Sequence, residues 1–305
     1  MLIFSIFRPM DTKYTHRNYI LYSIRMGDHE SREFPNPFKD YDARKDLTAE
    51  GYESDFLVQL SQCQTKLRDR LERDKETFES QDTSIYTGTS GVAYMYWRLS
   101  CILSTEQERN SAFERCLRLV NDAIDRRRKK RTTFLCGEPG PLALGAVIYR
   151  DERAGHDDKR SDKCVTLICD MSRHMTDVDD RDTPDELLYG RVGYLFALLF
   201  LLKHLGSSVA DKVEGIIGDV VDAVLRSGQR LAKEERSSSP LMFQWHDRHY
   251  VGAAHGISGI CAVLLQTVLF LPHDVTLKLK VEKYVKPTME FVISERLASF
   301  CVVIK

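Results

Sequence analysis

Leu188-Tyr189-Gly190-Arg191-Val192-Gly193 leads directly into an unbroken apolar run over residues 194–202. The same pattern, a glycine pair three positions apart that opens an apolar stretch, recurs at Tyr86-Thr87-Gly88-Thr89-Ser90-Gly91, Leu135-Cys136-Gly137-Glu138-Pro139-Gly140 and Ala254-His255-Gly256-Ile257-Ser258-Gly259. The first glycines stand at 88, 137, 190 and 256, and self-similarity at such a period marks a repeat architecture. The runs they open, 92–99, 142–149, 194–202 and 260–271, are apolar nearly all round, as helices buried on every side must be. Between them the spacing changes. Ala112, Phe113, Cys116, Leu117, Leu119, Val120, Ala123 and Ile124 form one helical stripe, and Val209, Val213, Ile216, Ile217, Val220, Val221, Val224 and Leu225 form another. Each unit therefore reads as an outer amphipathic helix and an inner buried one that starts at the glycine pair.

No run shows strand alternation, so the fold class is all-α. Stacked hairpins with buried inner helices suggest an α/α toroid, with four units, or a fifth begun near Leu277, too few to close it. Residues 277–300 read as helix broken or restarted at Pro287, a residue suited to a first helical turn. Glycine at each inner-helix start permits positive φ and close approach of neighbouring backbones. The inner N-termini are expected to gather at one end, where exposed N–H groups and the helix dipole favour carboxylate or phosphate ligands.

The 305 residues carry a net charge of −1, which offers no general attraction to nucleic acid or membrane. The eight cysteines include no Cys-x-x-Cys pair and read as reduced thiols of a cytoplasmic protein. Arg8 ends the apolar N-terminal run too early for a signal peptide, and no run is long enough to span a membrane. Residues 126–131 are all basic. A solvated helix end, whose charges complement the C-terminal dipole, is the plainer reading, with an anionic-lipid patch at the plasma membrane as the alternative. The acidic segment 177–182 lacks the glycine and distal glutamate of a calcium loop and reads as solvated. Met26-Gly27 would fit a myristoylation signal only if translation began there.

The repeat aligns Thr87, Cys136, Tyr189 and His255 in one slot before the first glycines. His255 is the sharpest candidate, because an imidazole gives or takes a proton near neutral pH; the competing reading is a helix-capping or core histidine. Glu186 is either an acid or base facing the same cavity or a solvated residue beside Asp185. Arg191 could hold a substrate carboxylate bidentately or pair with Glu186. Cys136 and His255 together are too few ligands for zinc, and Cys136 reads as a small buried thiol.

Together with Phe34-Pro35-Asn36-Pro37-Phe38, Phe134-Leu135-Cys136-Gly137-Glu138-Pro139-Gly140-Pro141-Leu142-Ala143, Glu186-Leu187-Leu188-Tyr189-Gly190-Arg191, Ser239-Pro240-Leu241-Met242-Phe243-Gln244-Trp245 and Tyr250-Val251-Gly252-Ala253-Ala254-His255-Gly256, these motifs resemble the eukaryotic LanC-like proteins, relatives of the bacterial lanthionine cyclases. The resemblance spans about Phe34 to Arg296. It implies a seven-hairpin α/α toroid over residues 34–305 that lacks its C-terminal hairpins, preceded by a poorly ordered extension over 1–33. It implies a zinc-dependent transferase that adds the thiol of glutathione to dehydroalanine or dehydrobutyrine residues in proteins. His255 and Glu186 would transfer the proton and handle the enolate. Phosphorylated proteins are further implied partners. The family's zinc ligands are one cysteine and a later Cys-His pair. This chain has no Cys-His dipeptide and diverges near Leu297, so it reads as a truncated or spliced form with impaired activity and no metal of its own. The alternatives are a non-catalytic glutathione- or partner-binding module and, last, a carbohydrate-active toroid, for which Glu186 lacks a second carboxylate.

Overall fold

The computed structural model describes residues 47–48, 51–52, 54–73, 82–127, 131–298 and 303–304. The N-terminal extension, the Phe34–Phe38 motif, Met26-Gly27 and the middle of the basic run lie outside the described residues. The chain divides into two compact units, Met1–Thr65 and Lys66–Lys305. In the first, β1 (Leu47–Thr48) pairs antiparallel with β2 (Gly51–Tyr52), and α1 (Ser54–Arg73) begins.

The second unit holds the repeat. α2 (Thr89–Ile102) packs on α3 (Glu106–Asp125), α4 (Pro139–Tyr149) on α5 (Asp158–Asp170), α7 (Arg191–Leu205) on α8 (Ser207–Glu234), and α9 (Ile257–Phe270) on α10 (Val275–Ala298). The short α6 (Ser172–Met175) follows α5. The first member of each hairpin also packs on the next: α2 on α4, α4 on α7, α7 on α9. Four hairpins thus stand in chain order, with the all-apolar helices side by side. The fold is all-α, with only two-residue strands among the described residues, the last pair being β3 (His249–Tyr250) with β4 (Val303–Ile304).

Burial follows the apolar patterning. Every residue of α7 from Arg191 to Leu201 is buried, as is every residue of α4 but Val147. On α3 only the stripe Ala112, Phe113, Cys116, Leu119, Val120 and Ala123 is buried. That helix starts at a capping box, in which the Thr105 hydroxyl accepts from the Glu108 N–H at 3.2 Å and the Glu108 carboxylate accepts from the Thr105 N–H at 3.2 Å.

Pro287 does not break the last helix: α10 runs through it. The ring removes one backbone donor. The stripe Leu277, Val281, Val285, Thr288 and Val292 is buried on both sides of it, and Thr288 Oγ1 donates to the Tyr284 carbonyl at 2.7 Å. Packing across the proline outweighs the lost hydrogen bond. No helix among the described residues is long and apolar enough to cross a membrane.

Candidate active site at the glycine-loop end

Each inner helix is preceded by a loop that curls back over its start. The Thr89 N–H donates to the Asp82 carbonyl at 3.0 Å, Glu138 N–H to Arg131 at 2.9 Å, Arg191 N–H to Pro184 at 2.9 Å and Ser258 N–H to Val251 at 3.2 Å. The glycines make room for this. A Cβ at Gly88, Gly137, Gly190 or Gly256 would overlap the carbonyl oxygen six residues earlier, and one at Gly91, Gly140, Gly193 or Gly259 would do the same. Three of the first glycines are extended, with φ of −115° at Gly88, −116° at Gly190 and −118° at Gly256, and none of the eight has positive φ. The repeat therefore needs glycine for close approach and not for positive φ. At each inner-helix start an N–H group that could serve an anion is bonded to a loop carbonyl instead.

The loops bond to one another in chain order. Tyr86 N–H donates to Leu135 at 2.9 Å, Phe134 N–H to Gly193 at 3.0 Å and Leu187 N–H to Ala254 at 3.3 Å. This network draws Cys136, Tyr189 and His255 to one end of the unit. Thr87 is exposed and donates to Asp82 Oδ2 of its own loop at 2.5 Å.

His255 and Glu186 meet. The carboxylate of Glu186 is 2% exposed and lies 2.6 Å from His255 Nδ1. It also accepts the backbone N–H groups of Leu188, at 3.1 Å, and Tyr189. A carboxylate only accepts, so His255 carries its proton on Nδ1, which leaves Nε2 as the basic atom. Nε2 makes no hydrogen bond to a described residue, and the imidazole is partly exposed. The solvated reading of Glu186 is thereby excluded, since its surroundings are fully packed. The Trp245 indole stacks on the imidazole at 3.9 Å between ring centroids, with a 2° interplanar angle. The Tyr189 ring runs parallel, 5.8 Å from Trp245 and 6.0 Å from His255.

Arg191 does not reach this cluster. It is 1% exposed, and its guanidinium donates to the carbonyls of Met175, Thr183, Asp177 and Asp180 and to Asp185 Oδ1 at 3.0 Å. Every donor is spent on tying the acidic segment to the start of α7, so none remains for a substrate, and its carboxylate partner is Asp185 and not Glu186. Burial raises the Asp185 carboxyl above the usual range, against the pull of Arg191 and Ser227. The acidic segment has exposed side chains but a pinned backbone, a distinction that residue type does not carry.

The arginine beside the cluster is Arg131, the last of the basic run. Its guanidinium covers the Tyr189 ring at 4.4 Å. Arg131, Tyr189 and Trp245 line an open groove of about 760 Å³, together with Arg181, Asp182, Pro184, Gln244, His246 and Asp247. Neither Arg131 nor Trp245 stands in the glycine slot, and for that reason the slot alone misses them. At the start of the run, Arg126 and Arg127 behave as a helix end, with Arg126 on Asp122 and Arg127 on Glu138 at 2.8 Å. Cys136 is half-buried; burial pushes its thiol up, against the Arg131 charge and the Tyr189 hydroxyl.

Zinc does not fit these residues. Among the described residues no three His, Cys, Asp or Glu side chains converge closely enough to hold a metal. The slot offers only Cys136 and His255, and Nδ1 of His255 is taken by Glu186. An imidazole held at Nδ1 by a buried carboxylate and partly exposed is able to give or take a proton at Nε2, and it stacks on Trp245, which lines an aromatic, arginine-bearing groove.

The family profile described as lanthionine synthetase C-like protein matches residues 79–299. A Danio rerio protein named Glutathione S-transferase LANCL1 is 32% identical over 276 residues, which cover 86% of this chain and 63% of that protein. An Arabidopsis thaliana protein named LanC-like protein GCL1 is 30% identical over 200 residues, covering 60% of this chain and 42% of that one. The chain thus spans less than two thirds of the length of either relative. With four glycine-paired hairpins in chain order and a profile match across them, the chain belongs to the eukaryotic LanC-like protein family.

Proposed function

We propose that this site moves the proton during addition of a thiol, that of glutathione, to dehydroalanine or dehydrobutyrine residues in proteins. The observation that carries the reading is the buried Glu186 carboxylate bonded at 2.6 Å to His255 Nδ1, which leaves Nε2 free to act as the base. The name of the Danio rerio relative supports glutathione as the thiol. His255 Nε2 takes the thiol proton as sulfur bonds to the β-carbon of the dehydro residue. The displaced π electrons move onto the amide carbonyl as an enolate. His255 then returns the proton to the α-carbon, so no net proton is consumed. The Glu186 carboxylate stabilises the imidazolium between the two transfers. Arg131 gives the groove a donor for carboxylates, the role that Arg191 cannot fill.

A thiol of pKa about 8.5 is mostly protonated at neutral pH. The described residues hold no zinc ligand set to lower it, so we expect the addition to be slow. The same observation favours a second reading, in which the groove binds glutathione without turnover. The row of four hairpins is read here as an arc of an α/α toroid. The described cysteines are all free, which supports a reducing compartment, the cytoplasm.

Mass spectrometry of a dehydroalanine peptide incubated with glutathione and the full chain tests the proposal. Adduct formed faster than in a protein-free control supports turnover. Calorimetric binding of glutathione without adduct selects the second reading. Neither binding nor adduct rejects both.

A further inference from the structure

We propose that Trp245 is a positioning residue of this site. Its indole holds the His255 imidazole in one plane, with Nδ1 on Glu186 and Nε2 left for chemistry. The inference rests on the reading of His255 as the proton carrier.

Three observations carry it. The contact is face to face, with a centroid separation of 3.9 Å and a 2° angle, so the indole blocks any tilt of the imidazole toward its side. Tyr189 lies parallel within 6.0 Å of His255 and belongs to the loop whose Glu186 accepts the Nδ1 proton. The third is backbone strain next to the indole. Trp245 and Arg248 exchange backbone hydrogen bonds at 3.0 and 3.2 Å around a two-residue turn made by His246 and Asp247. Both central residues have positive φ, 48° and 55°, the conformation of a type I′ turn that Asn-Gly would adopt without cost. Strain held in place at such a turn is characteristic of sites where position matters. The His246 ring adds an edge contact to the indole, with centroids 4.2 Å apart. Trp245 also lines the groove, so a ligand bound there would rest against the ring that holds the imidazole.

Nitrogen NMR of the full chain, with the His255 signals assigned by their loss in His255→Asn, tests the role. Wild type is expected to show one tautomer, protonated on Nδ1. Trp245→Phe, which keeps a flat ring, is expected to retain it, with kcat for thiol addition within about threefold. Trp245→Leu is expected to mix the tautomers and lower kcat about tenfold or more, with KM for glutathione nearly unchanged. A pure Nδ1–H tautomer in Trp245→Leu overturns the proposal. Should that variant fail to fold, Trp97→Phe leaves Trp245 as the sole indole. Its emission must then change on adding His255→Asn, and indifference to that substitution overturns the contact. Undiminished thiol addition in His255→Asn would sink the proton-transfer reading, whereas an unchanged tautomer in Trp245→Leu would sink the positioning role alone.

Discussion

At the scale of single residues, two neighbouring carboxylates divide the work. Glu186 faces His255, and Asp185 faces Arg191. One pair sits at the glycine-loop end and the other inside the scaffold, and nothing in the dipeptide says which is which. The structural pair has a distinct mutational signature. Arg191 is buried with five bonds, so Arg191→Met strands Asp185 and four carbonyls and is expected to destabilise the fold by about 3–5 kcal/mol. Urea denaturation measures this, and calorimetry on the folded fraction should find glutathione affinity unchanged. A substrate role for Arg191 would give the reverse, lost affinity at constant stability. Glu186→Gln keeps an acceptor for Nδ1–H but removes the charge that steadies the imidazolium. The thiol-addition rate should fall about tenfold or more, and the midpoint of unfolding should also drop, because the new amide NH2 must face a backbone N–H that the carboxylate accepted.

Among the elements, the inner helices were the most legible, because a helix buried on all sides has to be apolar on all sides and α4 and α7 are. The glycine pairs were legible as a repeat, but the reason for them was not. Steric exclusion by a carbonyl six residues back is a tertiary fact that composition does not encode. The Trp245–Arg248 hairpin was not legible either, since His246-Asp247 is a poor type I′ sequence. Replacing the pair by Asn-Gly is expected to stabilise the protein by about 1 kcal/mol or more, read as a raised thermal midpoint. At the other end of α7, His204 packs on Trp97 and Phe200. Burial, with like charge from Lys203 and Arg98, lowers its pKa to about 4. The unfolded imidazole takes its proton near 6.5, so between pH 6.5 and 4 the unfolded state binds more protons. Stability is therefore complete above pH 6.5 and falls as the pH drops toward 4, by about 1–2 kcal/mol after allowance for the ring's partial exposure. Denaturation curves at pH 7.5 and 5 check this, and His204→Phe should flatten the difference.

For the molecule as a whole, the hairpin row makes the chemistry local. Loops bonded in chain order bring Cys136, Tyr189 and His255 together from three repeats, so the site is assembled by the period itself. The slot pointed to His255 in the sequence because the repeat put it there. Glu186, four residues before a glycine and outside the slot, was ambiguous until the fold buried it. Arg131 stands six residues before Gly137, where the other loops carry Asp82, Pro184 and Tyr250, so its side chain and not its place sets it apart, while Trp245 comes from the segment before the last pair; their convergence is set by packing. The central claim is that the His255–Glu186 pair carries the proton of thiol addition. The most direct measurement is the single-turnover rate of glutathione addition to a dehydroalanine peptide by the full chain and by His255→Asn at equal concentration. The account predicts a loss of about 100-fold or more in the variant, with unfolding midpoints alike. Equal rates in the two proteins would contradict it.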